Sequence, residues 1–161
     1  MATFSLRNFG CRANQADGAA LAHRLRQAGL TPAAGEAADW VVLNTCTVTA
    51  AADAEARRAI RQVHRAHPQA RIAVTGCYAE RAPGELRALP GVEVVAGHAA
   101  KWDLAAQLLA PESRAPAPKL ANLAWLETPP AGRTRAVVKV QVGCGRTCSF
   151  CIIPRVRGAS R

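Results

Sequence analysis

Short apolar runs that alternate with helix-like stretches limit most sharply what this chain can fold into. Residues 3–9, 39–44, 71–75 and 92–95 read as strands, and Trp40, Val41, Val42 and Leu43 form a run of the kind buried on both faces of a parallel sheet. Between them lie helical patterns. Residues 16–27 place Leu21, Leu25 and Ala28 on one face, with Gly29 as a natural stop. Residues 51–66 follow Thr49, a suitable N-cap. A short helix is expected at 85–89, and another at 101–110 that ends before Pro111. Strand and helix in alternation predict an α/β domain over residues 1–110, a parallel sheet covered on both faces.

The pattern stops at Pro111. Five of the ten prolines (Pro111, Pro116, Pro118, Pro129 and Pro130) fall within 111–134, where hydrophobic periodicity is weak, so a linker or traversing arm is expected there. Residues 136–142 then read as a new strand leading into Gly143 and Cys144. One strand cannot bury its own faces, so 135–161 is expected to be the start of a second unit and the chain a fragment of something longer.

Charge is uneven along the chain. Of 21 basic and 11 acidic residues, residues 1–127 hold 14 and 11, a balance of +3. Residues 128–161 hold seven basic residues (Arg133, Arg135, Lys139, Arg146, Arg155, Arg157 and Arg161) and no acidic one. Such an excess attracts polyanions, nucleic acid first among them, and equally describes a solvated basic tail. No apolar run is long enough to cross a membrane as a helix, and the first residues lack the pattern of a secretory leader. A cytoplasmic location is therefore expected. There the six cysteines stay reduced and suit metal ligation or catalysis better than disulfides.

The cysteines form two sets of three. Cys144, Cys148 and Cys151 give C-x3-C-x2-C in a loop after an expected strand, close enough for three thiolates to share one metal centre. The spacing favours an iron–sulfur cluster with one iron left open to a small molecule; a zinc knuckle is the competing reading. Cys11, Cys46 and Cys77 are far apart in sequence, yet each sits just past the end of an expected strand. In a parallel sheet those ends line one edge, where open α/β sheets place their ligands. Gly10 and Gly76 would let backbone approach a bulky inorganic group. Any one of these cysteines could be inert core, but three at one topological position point to a second cluster site.

Four stretches carry a family resemblance: Gly10-Cys-Arg-Ala-Asn-Gln15, Asn44-Thr-Cys-Thr-Val48, Gly76-Cys-Tyr-Ala79, and the segment from Gly143 through Cys144, Cys148 and Cys151 to Gly158. In order and content the chain resembles the tRNA methylthiotransferase family of radical S-adenosylmethionine enzymes, most of all the branch that modifies threonylcarbamoyladenosine beside the anticodon. The resemblance implies that Cys11, Cys46 and Cys77 hold an auxiliary 4Fe–4S cluster in an N-terminal methylthiotransferase domain. It implies that Cys144, Cys148 and Cys151 hold the radical-generating 4Fe–4S cluster on the first loop of a truncated barrel.

S-adenosyl-L-methionine and tRNA are then the implied ligand and substrate, and an electron donor and a sulfur donor the implied partners, with no membrane role. The family's chemistry fits the target. An aromatic C–H has neither leaving group nor acidic proton, so a deoxyadenosyl radical removes the hydrogen while the auxiliary cluster carries the sulfur. The competing targets are isopentenyladenosine in tRNA and a ribosomal protein; a non-catalytic zinc or nucleic-acid-binding module is the reading from another class. With the barrel and RNA-binding module missing, these 161 residues alone are expected not to turn over.

The remaining residues receive plainer readings. Arg57, Arg61 and Arg65 are expected on an exposed helix face, with His64 and His67 at the surface. His23 and His98 have no partner by spacing. Arg155 and Arg157 are candidates for phosphate or cofactor contacts, and Asn14 and Asn44 for orienting the loops that carry the cysteines.

Overall fold

The computed structural model describes residues 2–33, 37–109 and 139–161. The expected linker at 111–134, and residues 136–138 of the expected second-unit strand, lie outside the described residues.

Five strands form one parallel sheet: β1 (Thr3–Asn8), β2 (Thr31–Pro32), β3 (Trp40–Thr45), β4 (Arg71–Gly76) and β5 (Val92–Ala96), in the spatial order β2-β1-β3-β4-β5. The expected α/β class and parallel sheet are therefore found. β3 lies at the centre and is buried at every position, as its unbroken apolar run requires. Its side chains alternate between the two faces. Val41 and Leu43 pack with Ile72 and Val74 beneath Ala56, Ile60 and Val63 of α2 (Ala50–Ala66). Trp40 and Val42 pack with Phe4 and Ala73 beneath Leu21 and Leu25 of α1 (Arg12–Gln27). Each fully buried Leu or Ile contributes about 1.5–3 kcal/mol, so the two apolar layers hold the strands in register.

Further helices complete the cover. α3 (Cys77–Arg81) and α4 (Pro83–Arg87) follow β4. After β5 comes a 3₁₀ turn (Ala100–Asp103) and then α5 (Leu104–Leu109), so the helix expected over 101–110 has a tighter first turn. Thr49 caps α2 as expected, its hydroxyl accepting from the Ala52 amide at 3.1 Å. α1 begins four residues earlier than the apolar pattern predicts, because Asn14 and Asp17 face inward and break that pattern.

The 139–161 segment contains α6 (Ile153–Arg157), which packs on α3. The expected strand at 136–142 is not seen over its described part. Val142 instead exchanges two backbone hydrogen bonds of 3.0 Å with Arg161, and Cys144 donates to the Gly158 carbonyl at 3.0 Å. A strand needs a ladder of partners, and here only the returning end of the same segment is available. Among the described residues, no helix is long and apolar enough to cross a membrane.

Candidate functional site

β1, β3 and β4 are neighbours, and their C-terminal ends meet at one edge. The register aligns Asn8 with Asn44, Asn44 with Thr75, and Thr45 with Gly76. Phe9 extends the ladder by donating to the Asn44 carbonyl at 3.0 Å. Each chain then turns into a helix and presents a cysteine: Cys11 is the N-cap of α1, Cys46 precedes α2, and Cys77 opens α3. Neighbouring strands stand about 4.8 Å apart, so three adjacent strand ends span little more than a cluster's width. Cys46 and Cys77 are buried, and Cys11 is exposed.

Two glycines permit this closeness. Gly10 has φ +82°, and a Cβ there would collide with the Cβ and Sγ of Cys46. Gly76 has φ +99°, and a Cβ there would strike the backbone of Thr45. At these positions only glycine is both unstrained and small enough.

Asn14 ties the loops together. Fully buried, its amide nitrogen lies 2.8 Å from the Phe9 carbonyl, 3.0 Å from that of Asn44 and 3.3 Å from that of Thr45. These carbonyls lead directly into Cys11 and Cys46. Asn44 returns the bond, its side chain donating to the Asn14 carbonyl at 2.8 Å and to Asn8 Oδ1 at 2.9 Å. The two asparagines thus orient the cysteine-bearing loops from inside the protein.

One helical turn on, Asp17 anchors a buried ionic group. Its carboxylate pairs with Lys101 at 3.4 Å, with Arg157 at 3.2 Å, and with Lys139. Asp17 and Lys101 are fully buried, and Arg157 nearly so. Burial alone would raise the Asp17 pKa, but the three cations hold it below the ordinary carboxylate value. Burial pushes Lys101 down, opposed by Asp17. His98 is driven to about 4 by burial and by Lys101, so it is neutral near pH 7. Burial raises the Cys77 thiol, while the positive charge of Arg157 pulls the other way.

The second set of cysteines is built differently. Cys144 and Cys151 are half-buried and Cys148 is exposed. The loop closes through a turn from the Cys151 amide to the Cys148 carbonyl at 3.2 Å, and through Ser160, whose hydroxyl accepts from the Gly145 amide at 3.0 Å. Arg146, Cys148, Phe150, Cys151, Pro154 and Arg155 line an open depression there. Among the described residues, no group of three or more cysteine, histidine, aspartate or glutamate side chains is placed to hold a metal ion, either cysteine set included.

Residues 3–97 match the model of Uncharacterized protein family UPF0004. The chain belongs to this family. It is 37% identical over 170 residues to the Threonylcarbamoyladenosine tRNA methylthiotransferase MtaB of Bacillus subtilis, covering all of this chain and 38% of the relative. The enzyme of the same name from Aquifex aeolicus is 36% identical over 161 residues, covering 94% of this chain and 39% of the relative. The tRNA-2-methylthio-N(6)-dimethylallyladenosine synthase of Paenarthrobacter aurescens is 37% identical over 173 residues, covering 99% and 33%. The chain thus spans between a third and two-fifths of these relatives.

The UPF0004 match ends one residue past β5, so it covers the sheet and its first cysteine set but not the second. Within it, the structure puts Cys11, Cys46 and Cys77 at one edge, with Asn14 and Asn44 between them. Cys144, Cys148 and Cys151 lie together on their own loop. Arg157, read from sequence as a phosphate or cofactor contact, turns inward to Asp17, whereas Arg155 is exposed. Arg61 and Arg65 are exposed as expected, but Arg57 donates to the Tyr78 hydroxyl at 2.6 Å. His98, unassigned from spacing, is buried beside Lys101.

Sequence reasoning missed Asp17 and Lys101. The signal for Asp17 was present: it stands four residues before Leu21 and extends the buried face of α1. A charged residue on an apolar face asks for a buried partner.

Proposed function

We propose that the protein to which these residues belong is a tRNA methylthiotransferase that adds a methylthio group to C2 of N6-threonylcarbamoyladenosine by radical S-adenosylmethionine chemistry. The observation that carries this reading is the placement of Cys11, Cys46 and Cys77 just past the ends of three adjacent parallel strands. Cys11, Cys46 and Cys77 would hold one 4Fe–4S cluster, and Cys144, Cys148 and Cys151 the other. The donor set fits: soft thiolates in threes, two glycines that clear space beside Cys46 and Thr45, and buried cations against which anionic sulfur is favourable. Two buried polar atoms at the same edge, Asn44 Oδ1 and Thr75 Oγ1, have no protein hydrogen-bond partner.

When bound, the two clusters would supply an electron to S-adenosylmethionine and the sulfur for transfer. This chain's own residues bind and orient. Asn14 and Asn44 fix the loops that present Cys11 and Cys46. The Cys148–Cys151 turn presents the second set toward the open depression, where Arg155 and Arg146 offer positive charge to a carboxylate or phosphate. The same chemistry on dimethylallyladenosine is the second reading, supported by the Paenarthrobacter relative of equal identity. Six cysteines suited to metal ligation rather than to disulfides favour a cytoplasmic site for this work.

Anaerobic reconstitution of the full polypeptide, with iron, sulfide and zinc measured, tests the cofactor. Iron and sulfide for two clusters are expected, and stoichiometric zinc without sulfide refutes it. Mass spectrometry of tRNA nucleosides from a deletion strain tests the substrate. Loss of the methylthio group from threonylcarbamoyladenosine supports the first target, and loss from dimethylallyladenosine the second.

A further inference from the structure

Arg157 belongs by sequence to the second cysteine loop and by position to the first cysteine site. It ends α6, six residues past Cys151. Its side chain is only 5% exposed and lies 3.2 Å from Asp17 Oδ2 and 3.4 Å from Asn14 Oδ1. Its helix packs on α3, which Cys77 opens, so its charge acts on that thiol. Two anchors on α1 fix one planar group, which a flexible point charge would not match.

Among the described residues, the charge around it does not balance. Asp17 is shared among the buried Lys101 and Arg157 and the partly exposed Lys139, and His98 adds no counter-charge. Burying a second cation against a single carboxylate is costly unless other anions stand near. Among the described residues, the other groups whose charge acts on Arg157 are Cys77 and Cys11, which carry negative charge once they ligate a metal. The surplus of positive charge is therefore aimed at sulfur.

Building on the cluster assignment proposed above, we infer that Arg157 is a positioning residue that fastens the second cysteine loop onto the first sulfur site and sets that site's reduction potential. A cluster held by Cys11, Cys46 and Cys77 becomes more negative when it takes up an electron. A guanidinium fixed beside that site, on Asn14 and Asp17, favours that reduced form, as nearby charge does at iron–sulfur centres generally.

The test uses the full polypeptide with Cys144, Cys148 and Cys151 replaced by Ala, so that the first site alone is loaded, and follows the midpoint by EPR-monitored redox titration. Arg157→Met should move the midpoint to more negative potential. Arg157→Lys, which keeps the charge but loses the fork that reaches Asn14 and Asp17 together, should move it less. Arg61→Met, on the exposed face of α2, should leave it in place. An unshifted midpoint in both Arg157 variants, with iron content intact, overturns the inference. If Arg157→Met loads no iron, Arg157→Lys decides alone: a midpoint below that of the parent supports the assignment and an equal one overturns it. Loss of iron from both variants with the circular dichroism unchanged replaces the electrostatic role with a structural one and also overturns it. Failure of the parent itself to take up iron and sulfide refutes the cluster assignment, a distinct result.

Discussion

The two cysteine sites are opposite solutions to gathering three sulfurs. The first borrows its geometry from the sheet: strands in fixed register deliver Cys11, Cys46 and Cys77 to one edge, and a buried asparagine pins the loops. The second carries its geometry in its own short spacing, held by a single turn and a few bonds from Ser160 and Gly158. A site built on strand ends inherits the stiffness of the core. A site built on a loop is rigid only as far as its neighbours make it so, and here α6 and Arg157 lash it to the first.

The sharpest separation of the two comes from removing ligands. Cys46→Ala and Cys148→Ala should each cost the full polypeptide one cluster's worth of iron and sulfide while the other remains, read by elemental analysis. Loss of both clusters from either variant would break the picture of two separate sites.

Next in size is Asn14→Ala. It removes the side-chain donor shared by three inward carbonyls, of which only that of Asn44 keeps the Phe9 amide, so a loss of roughly 2–3 kcal/mol is expected in urea unfolding of this chain. A change under about 1 kcal/mol would mean that the strand-end site does not depend on its clamp.

The pH dependence comes third. His98 is neutral in the fold, with its pKa lowered from 6.5 to about 4. The unfolded chain therefore binds the extra proton first. Its contribution is fully present above pH 6.5 and is lost as pH falls toward 4, by roughly 3 kcal/mol in all. His98→Gln should flatten that limb of the stability–pH curve, measured by denaturation between pH 4 and 7.

The smallest effect belongs to the loop. Ser160→Ala removes the acceptor for the Gly145 amide and should cost about 1 kcal/mol or less. It should appear as faster hydrogen exchange around 143–146, with little change in global unfolding.

The amino-acid order shows the sheet plainly because central strands carry an apolar run buried on both faces, and β3 does from Trp40 to Leu43. It shows all six cysteines, and the topology implied by strand–helix alternation is enough to place the first three at one edge. It hides the ionic group. Asp17 and Lys101 are 84 residues apart, and only the docking of the 3₁₀ turn beside α1 brings them together. It also misstates the first turn of α1, where Asn14 and Asp17 make a buried face look solvated. The two-residue β2 at the sheet edge is too short to carry any periodic signal.

Because the first three sulfurs are delivered by parallel strands, the connections at the far ends of those strands are decoupled from them. Residues could be added or lost between α1 and β3, or between α2 and β4, and the ruler that sets the gap between thiols would not change. Cysteine spacing in chains of this architecture is therefore elastic, and a pattern search that demands fixed intervals would overlook true counterparts that differ only in the length of an outlying turn.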